Sequence, residues 1–370
     1  MFWTLGLLAV LILALLAYLQ HPKFGQLPDE RHKLTFQNSP NYQQNAFRNQ
    51  IDTPLFATDQ SFIRVLLQNL RSMGSQLGPQ TALPSDPAGL RSLKPTQDAL
   101  IWLGHSSFFI QMAGKRILVD PVFSPNAAPI PRVVSAYAGT TPFNVQDFGE
   151  IDYLLITHDH WDHLDYETLR AFQPNVDQVI APLGIGAYLK GWGYGSIQIT
   201  EGDWYDRFTL ADTLTVHLVP ARHYSGRSLE RRQTLWGGFV LESPNYRVLI
   251  SGDTGYGPHF KEIAKRYGNF DLVALDQGQY DPRWPYIHMT PEQALVAAQE
   301  LGAKRLLPAH VGKYTLAKHP WMEPFNRIAE LTRDSDILLT TPLIGEVVAL
   351  EQDSQQTFTY WWDELSTSNK

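Results

Sequence analysis

The sequence predicts an α/β fold in which two similar β-rich halves set two sheets face to face, with helices outside them. Three observations carry that prediction. Phe108-Phe109-Ile110 and Arg116-Ile117-Leu118-Val119-Asp120 flank a Met112-Ala113-Gly114 turn, and the pattern returns as Phe239-Val240-Leu241, Ser243-Pro244-Asn245, Arg247-Val248-Leu249-Ile250 and Asp253. A further apolar strand follows each copy, at residues 151–156 and again at 270–275. Each of those strands leads into a loop and a helix, at residues 166–172 and 291–301. Strands that alternate with helices in two matching halves bury their apolar faces best as stacked layers, with the loop ends converging on one edge.

The elements follow in order along the chain. Residues 2–19 are apolar throughout but for Thr4, and as a helix this run would reach ~27 Å, near the lower limit of a membrane span. No Lys or Arg precedes it, and Tyr18-Leu19-Gln20-His21-Pro22 lacks the small residues of a cleavage site, so it reads as an uncleaved anchor over residues 2–20. Lys23, Arg31 and Lys33 all follow the span, which places a single-pass protein in the cell membrane with its globular part on the cytoplasmic side. Residues 21–98 form a polar, proline-punctuated arm with little core of its own. Phe62, Val65, Leu66 and Leu70 have helical spacing there and predict one amphipathic helix. The compact domain spans residues 99–350. Within it, the helix from Pro291 has Pro at its first position behind a Thr290 cap. Residues 351–370 read as a last strand and a tail.

Composition narrows the chemistry. With 370 residues and 44% hydrophobic side chains the chain can bury a large core. A net charge of −7, from 30 basic and 37 acidic residues, argues against a nucleic-acid surface. Cys is absent, which excludes a disulfide scaffold, a thiol nucleophile and any thiolate-ligated metal. Acid–base or metal chemistry therefore falls to 12 His and to the carboxylates.

The most informative stretch is Thr157-His158-Asp159-His160-Trp161-Asp162-His163, directly after an apolar strand. Imidazole and carboxylate groups at this spacing suit zinc and can face two ions. The bland alternative, a solvated His-rich turn, would crowd four ligand-type side chains that repel when protonated. His223, Asp253 and His310 each stand just past a later strand. Alone, each would serve as readily as a cap or a core residue. Their shared placement beside the cluster makes them candidate ligands. His105, in Trp102-Leu103-Gly104-His105, reads as a hydrogen-bonding residue, with ligation the alternative.

Here the strings resemble the metallo-β-lactamase superfamily and, within it, the N-acylphosphatidylethanolamine-hydrolysing phospholipase D group. The matching stretches include Trp102-Leu103-Gly104-His105, Asp120-Pro121-Val122-Phe123-Ser124, the His cluster, Gly252-Asp253-Thr254-Gly255-Tyr256, Tyr280-Asp281-Pro282-Arg283-Trp284 and His288-Met289-Thr290-Pro291-Glu292. The resemblance implies a four-layer αββα sandwich. It implies one zinc held by His158, His160 and His223, a second held by Asp162, His163 and His310, and Asp253 bridging both. It also puts Asp120 at the reacting centre as a positioning group, with His288 stabilising phosphate or donating a proton. Arg222 stands where the animal enzymes have Gln, Arg227 lies in the nearby loop, and Asp276-Gln277-Gly278-Gln279 replaces an apolar string. These departures border the substrate, so Arg222, Arg227 and Trp284 are candidate substrate contacts, with Trp321 a further aromatic candidate for a lipid groove.

The function expected on this basis is a membrane-tethered dinuclear zinc hydrolase. It would cleave a phospholipid phosphodiester by attack of a hydroxide bridging two Zn2+, other divalent metals being open. The partners implied are a phospholipid and the membrane, with a homodimer left open and nucleic acid excluded. Two other readings stand beside it: a zinc lactonase or phosphosugar-ester hydrolase using the same site, and a non-catalytic metal- and lipid-binding envelope protein.

Overall fold

The computed structural model describes residues 2–57, 77–227, 230–351 and 356–367. The amphipathic helix expected at residues 62–70 lies outside them. Two seven-stranded sheets make up the domain. The first has the order β16-β3-β4-β5-β6-β7-β8, built from β3 (Ala99–Trp102), β4 (Phe108–Met112), β5 (Lys115–Val119), β6 (Ile151–Leu155), β7 (Val176–Pro182), β8 (Ile199–Gly202) and β16 (Val347–Ala349). The second has the order β15-β14-β13-β12-β11-β10-β9, built from β9 (Arg207–Ala211), β10 (Leu214–Val219), β11 (Gly238–Glu242), β12 (Arg247–Ile250), β13 (Leu272–Asp276), β14 (Arg305–Ala309) and β15 (Leu338–Leu339). The remaining strands, β1 (Tyr42–Gln43) and β2 (Ala46–Phe47), form a small hairpin in the arm.

The internal repeat is visible in the pairing. In the first sheet β3, β4 and β5 run antiparallel, then β5 to β8 run parallel. In the second sheet β10, β11 and β12 run antiparallel, then β12 to β15 run parallel. Parallel neighbours need crossovers, and the helices Tyr166–Phe172, Ile185–Gly191, His259–Tyr267, Pro291–Glu300 and Glu323–Thr332 lie in all of them but the β5–β6 connection. The Pro291 helix starts as its sequence predicts, with Thr290 and Gln293 forming a reciprocal capping box.

Period-two alternation decides what each face buries. On β10 and β12, Val216, Leu218, Val248 and Ile250 face the core shared with the first sheet, which also holds Leu100, Phe109, Leu118 and Leu154. Their neighbours Val219, Leu249, Val273 and Leu306 face outward and pack under Phe260, Ile263, Ala294, Ala298 and Ile328 of the covering helices. The order helix, sheet, sheet, helix follows from strands that are apolar on both faces.

Two expectations about the chain ends are overturned. The N-terminal helix, α1, spans Phe2–Leu19, but among the described residues no helix is long and apolar enough to cross a membrane. Eighteen residues reach only ~27 Å against a hydrocarbon core of ~30 Å, and the last turn is already committed. The Tyr18 hydroxyl donates to the Pro129 carbonyl, and Lys23 Nζ donates to the same carbonyl at 2.7 Å. The single-pass placement and the cytoplasmic orientation argued from the flanking charges fall with the span. At the other end, the expected C-terminal strand is a helix, Trp361–Thr367, whose Trp361 and Trp362 are buried against Phe325.

The arm is also less detached than its composition predicts. Phe36 and Phe47 are fully buried and join the main core. Polar ties fix the rest, including Asn41 Nδ2 to Asp203 Oδ1 at 2.7 Å and the Ala57 N–H to the Arg283 carbonyl at 3.0 Å.

Candidate metal centre

The strand ends on one edge of the sandwich bring the predicted donors together. The His cluster follows β6, Asp253 follows β12, His310 follows β14, and His223 lies just past β10. One ligand atom from each of His158, His160, His223 and Asp253 falls within 4.8 Å of the others. A second group of the same tightness holds His105, Asp162, His163 and His310, and a third joins Asp253, His288 and His310.

Asp253 stands between the groups. Its Oδ2 faces His158 Nε2 at 3.6 Å and His223 Nε2 at 3.7 Å, while its Oδ1 faces His163 Nε2 at 3.1 Å and His310 Nδ1 at 3.0 Å. Gly252 permits this placement. It has φ +61°, and a Cβ there would lie 2.6 Å from the Gly237 carbonyl. Three residues around the site, His105, Asp120 and His310, also take left-handed backbone conformations, with φ of 56°, 40° and 59°. Such strain persists where the surroundings over-determine it, and it clusters at functional sites.

The donor set fits a metal. Nε2 of His158, His160 and His310 is buried without a hydrogen-bond partner, while His163 Nε2 and Asp253 Oδ1 meet only members of the donor set. Buried polar atoms left unpaired are costly, so several aimed at one point call for an ion. Burial holds His158 and His223 well below the usual imidazole range, which keeps their lone pairs free for coordination. Burial works against charge on Asp253, but His163 and His310 outweigh it and hold the carboxyl well below the usual range.

Hydrogen bonds behind the donors aim them. The buried Asp120 accepts from His163 Nδ1 at 2.8 Å, so Nε2 of that ring faces the centre. The Thr157 N–H and hydroxyl also donate to Asp120, which is fully buried and groups with His158 and His163 within 4.8 Å. His223 Nδ1 meets the Ile287 carbonyl at 3.0 Å, leaving Nε2 for the centre. His105 Nε2 lies 2.9 Å from Asp162 Oδ2, and the ring also belongs to the second donor group.

Above the centre lies a cleft of about 310 Å³, whose floor includes His160, Asp162, Asp253, His288 and His310. Its walls are apolar and aromatic, formed by Leu55, Phe56, Trp161, Ile287, Trp284 and Leu316. His288 Nδ1 is 2.8 Å from Asp276 Oδ2, and its ring stacks on His310 at 4.8 Å. Burial disfavours charge on His288, but the Asp276 carboxylate outweighs it and raises the ring above the usual imidazole range.

The family model described as the β-lactamase superfamily domain matches residues 115–311, more than half of the chain and all of the cluster. The chain belongs to the metallo-β-lactamase superfamily. An uncharacterized protein of Mycobacterium tuberculosis (strain H37Rv) is 34% identical over 330 residues, covering 88% of each chain. The N-acyl-phosphatidylethanolamine-hydrolyzing phospholipase D 1 of Caenorhabditis elegans is 28% identical over 292 residues, 71% of this chain and 81% of that one. Among solved structures, a metallo hydrolase of Ignicoccus hospitalis shares the fold with a TM-score of 0.53 at 22% identity, over 69% of this chain and 99% of the other. The chain is a metal-dependent hydrolase of the superfamily, in the branch that includes the phospholipase D enzymes.

Within that superfamily framework, the expected substrate arginines are not at the cleft. Arg222 turns away from it, with Nε on Thr53 Oγ1 at 3.1 Å, one terminal nitrogen on the Tyr256 carbonyl at 3.0 Å and the other on the Asp52 carbonyl at 3.2 Å. Arg227 is buried over the Trp161 ring and donates to the carbonyls of Leu164 at 2.6 Å and Lys23 at 2.9 Å. Both guanidiniums bind chain to chain, with Arg227 Nη2 left buried and without a hydrogen-bond partner. Trp321 is elsewhere too, stacked on Trp361. Trp284 does line the cleft. Sequence reasoning missed Leu55 and Phe56, which sit in a segment remote in sequence from every motif. It flagged Asp276 only as a departure. The signal was there in the repeat: β13 echoes β6, so Asp276 corresponds to Thr157, the residue just before the cluster in the first half.

Proposed function

We propose that the chain is a dinuclear zinc hydrolase that cleaves a phospholipid phosphodiester in the manner of the N-acylphosphatidylethanolamine phospholipases D. The observation that carries this reading is the union of a metal-ligand floor with an apolar, aromatic wall in one cleft. A soluble phosphosugar ester has no use for such a wall. A diacyl or N-acyl lipid has hydrocarbon beside its phosphate, and burying that hydrocarbon contributes ~0.8 kcal/mol per methylene.

In this assignment His158, His160 and His223 would hold one zinc, Asp162, His163 and His310 would hold the other, and Asp253, which faces both groups, would serve the two. When bound, the pair supplies Lewis acidity that lowers the pKa of water and neutralises charge on the phosphoryl oxygens. The chain's own groups do the rest. Asp120 and the Ile287 carbonyl keep the His163 and His223 rings turned inward. His288, held by Asp276 through Nδ1, keeps Nε2 on the side of the cleft, where a protonated ring donates to a phosphoryl oxygen or to the departing head-group oxygen. Leu55, Phe56 and Trp284 exclude water and receive the lipid's hydrocarbon.

The deciding experiment is head-group release from vesicles containing N-acylphosphatidylethanolamine by the purified chain, followed by mass spectrometry. Phosphatidic acid and N-acylethanolamine are the expected products. Asp253→Asn should lower kcat at least ~100-fold, because it removes the charge shared by both ions. Turnover of soluble esters with no lipid cleaved, or an Asp253→Asn variant as active as the parent, would sink the proposal.

A further inference from the structure

We infer that Asn49, in the N-terminal arm, is a positioning residue of the metal centre, acting on His223. The inference rests on the metal assignment above and concerns a residue 174 positions away from that ligand. Asn49 Nδ2 donates to the His223 carbonyl at 2.7 Å, and Asn49 Oδ1 accepts from the His223 N–H at 3.1 Å. One side chain thus satisfies both polar groups of a single residue's backbone, as a neighbouring strand would. The same oxygen accepts from Trp236 Nε1 at 3.2 Å, and that indole also donates to the Ala221 carbonyl at 3.0 Å. His223 lies in a loop, past the end of β10, with no ladder partner to fix it.

Two kinds of contact then set the ring. The Ile287 carbonyl fixes Nδ1, and Asn49 fixes the backbone from which the side chain projects. Removing either leaves Nε2 free to swing from the Asp253 Oδ2 side of the centre. The other members of that group, His158 and His160, sit in the cluster after β6, where Asn49 makes no hydrogen bond to either. Asn49 is itself tied down on both sides. The Phe47 N–H donates to the Arg232 carbonyl at 2.9 Å, and Arg222 binds Thr53 and the Asp52 carbonyl. Arg222, which had looked like a substrate contact, thereby holds the arm that holds the ligand. The same stretch continues to Leu55 and Phe56 in the cleft wall, so the arm reaches the centre at two points.

The test is zinc titration into the metal-stripped full-length chain and its Asn49→Ala variant, by calorimetry, with thermal unfolding of the stripped forms alongside. The parent should bind two ions. The variant should bind one of them ~10–100-fold more weakly, the range expected when a group that orients a ligand is lost. Its stripped form should melt at nearly the parent's temperature. Unchanged affinities in a folded variant would overturn the inference, as would equal weakening of both sites with a large drop in stripped-form stability, which marks a mere fold support. Should Asn49→Ala fail to fold, Asn49→Asp carries the same comparison, since it keeps the acceptor for His223 N–H and loses the donor to His223 C=O. A parent that binds no zinc refutes the metal assignment itself, whereas a parent that binds zinc and cleaves no lipid leaves this inference standing.

Discussion

Asp120 shows how one buried carboxylate can govern a ligand it never accompanies into the cleft. Its two oxygens accept from three donors: the His163 ring at 2.8 Å, the Thr157 N–H at 2.8 Å and the Thr157 hydroxyl. Burial drives its carboxyl upward and His163 opposes that, so charge on Asp120 depends on the partner it orients. An amide in its place offers one acceptor oxygen, and its NH2 must then face a buried donor. Asp120→Asn should cost ~1–3 kcal/mol of stability and ~10–100-fold in metal affinity. Urea unfolding and metal titration on the same preparation check both figures, and a variant matching the parent in each would refute the role. The sequence displayed Asp120 plainly, at the end of a strand before Pro121. Its direction was hidden, because Thr157 and His163 approach it only once β5 and β6 pair in parallel.

At the scale of elements, the legible parts were those with a strong local period. The strands, the repeat and the capped helix at Pro291 could all be read from apolar spacing and turn residues. The arm could not, because its contacts run to carbonyls and side chains 160 or more residues away. The two arginines misled for the same reason: a guanidinium in a loop near ligands looks like an anion site until the chain that takes its donors is in place. The helix His259–Tyr267 supplies a test at this scale. His259 starts it at an N-terminus, where the helix dipole disfavours a cation. Burial, aided by the charge of Arg222, lowers its pKa to about 3. In the unfolded chain the ring titrates near ~6.5, so between those values the unfolded state binds one more proton than the native state. This group therefore makes stability fall as pH falls through that window, by ~1.4 kcal/mol per unit. His259→Gln should lose that slope. Urea unfolding at pH 6.5 and pH 5 should show the parent losing ~2 kcal/mol more than the variant, and parallel losses would refute the assignment.

For the whole molecule, the donors themselves join the two halves. His158, His160, Asp162 and His163 lie in a loop that leaves the first sheet, while His223, Asp253 and His310 lie in loops that leave the second. Each of the two four-residue donor groups draws on both halves, so an ion in either would join them. An ion bound there is a cross-link between sheets that the unfolded chain lacks, and it stabilises the native state by RT ln(1 + [L]/Kd), ~4 kcal/mol when free metal exceeds Kd a thousandfold. Chelation should therefore lower Tm by several degrees, ~2 °C or more for each kcal/mol in a domain of this size. Adding zinc back should restore it. Asp253→Asn should show a much smaller shift, because the carboxylate facing both groups has lost its charge. An unchanged Tm after verified metal removal would mean that the halves are held by the shared core alone, with the ions contributing nothing to the fold. The buried imidazole nitrogens that find no protein partner argue for the opposite outcome, because an ion would satisfy them.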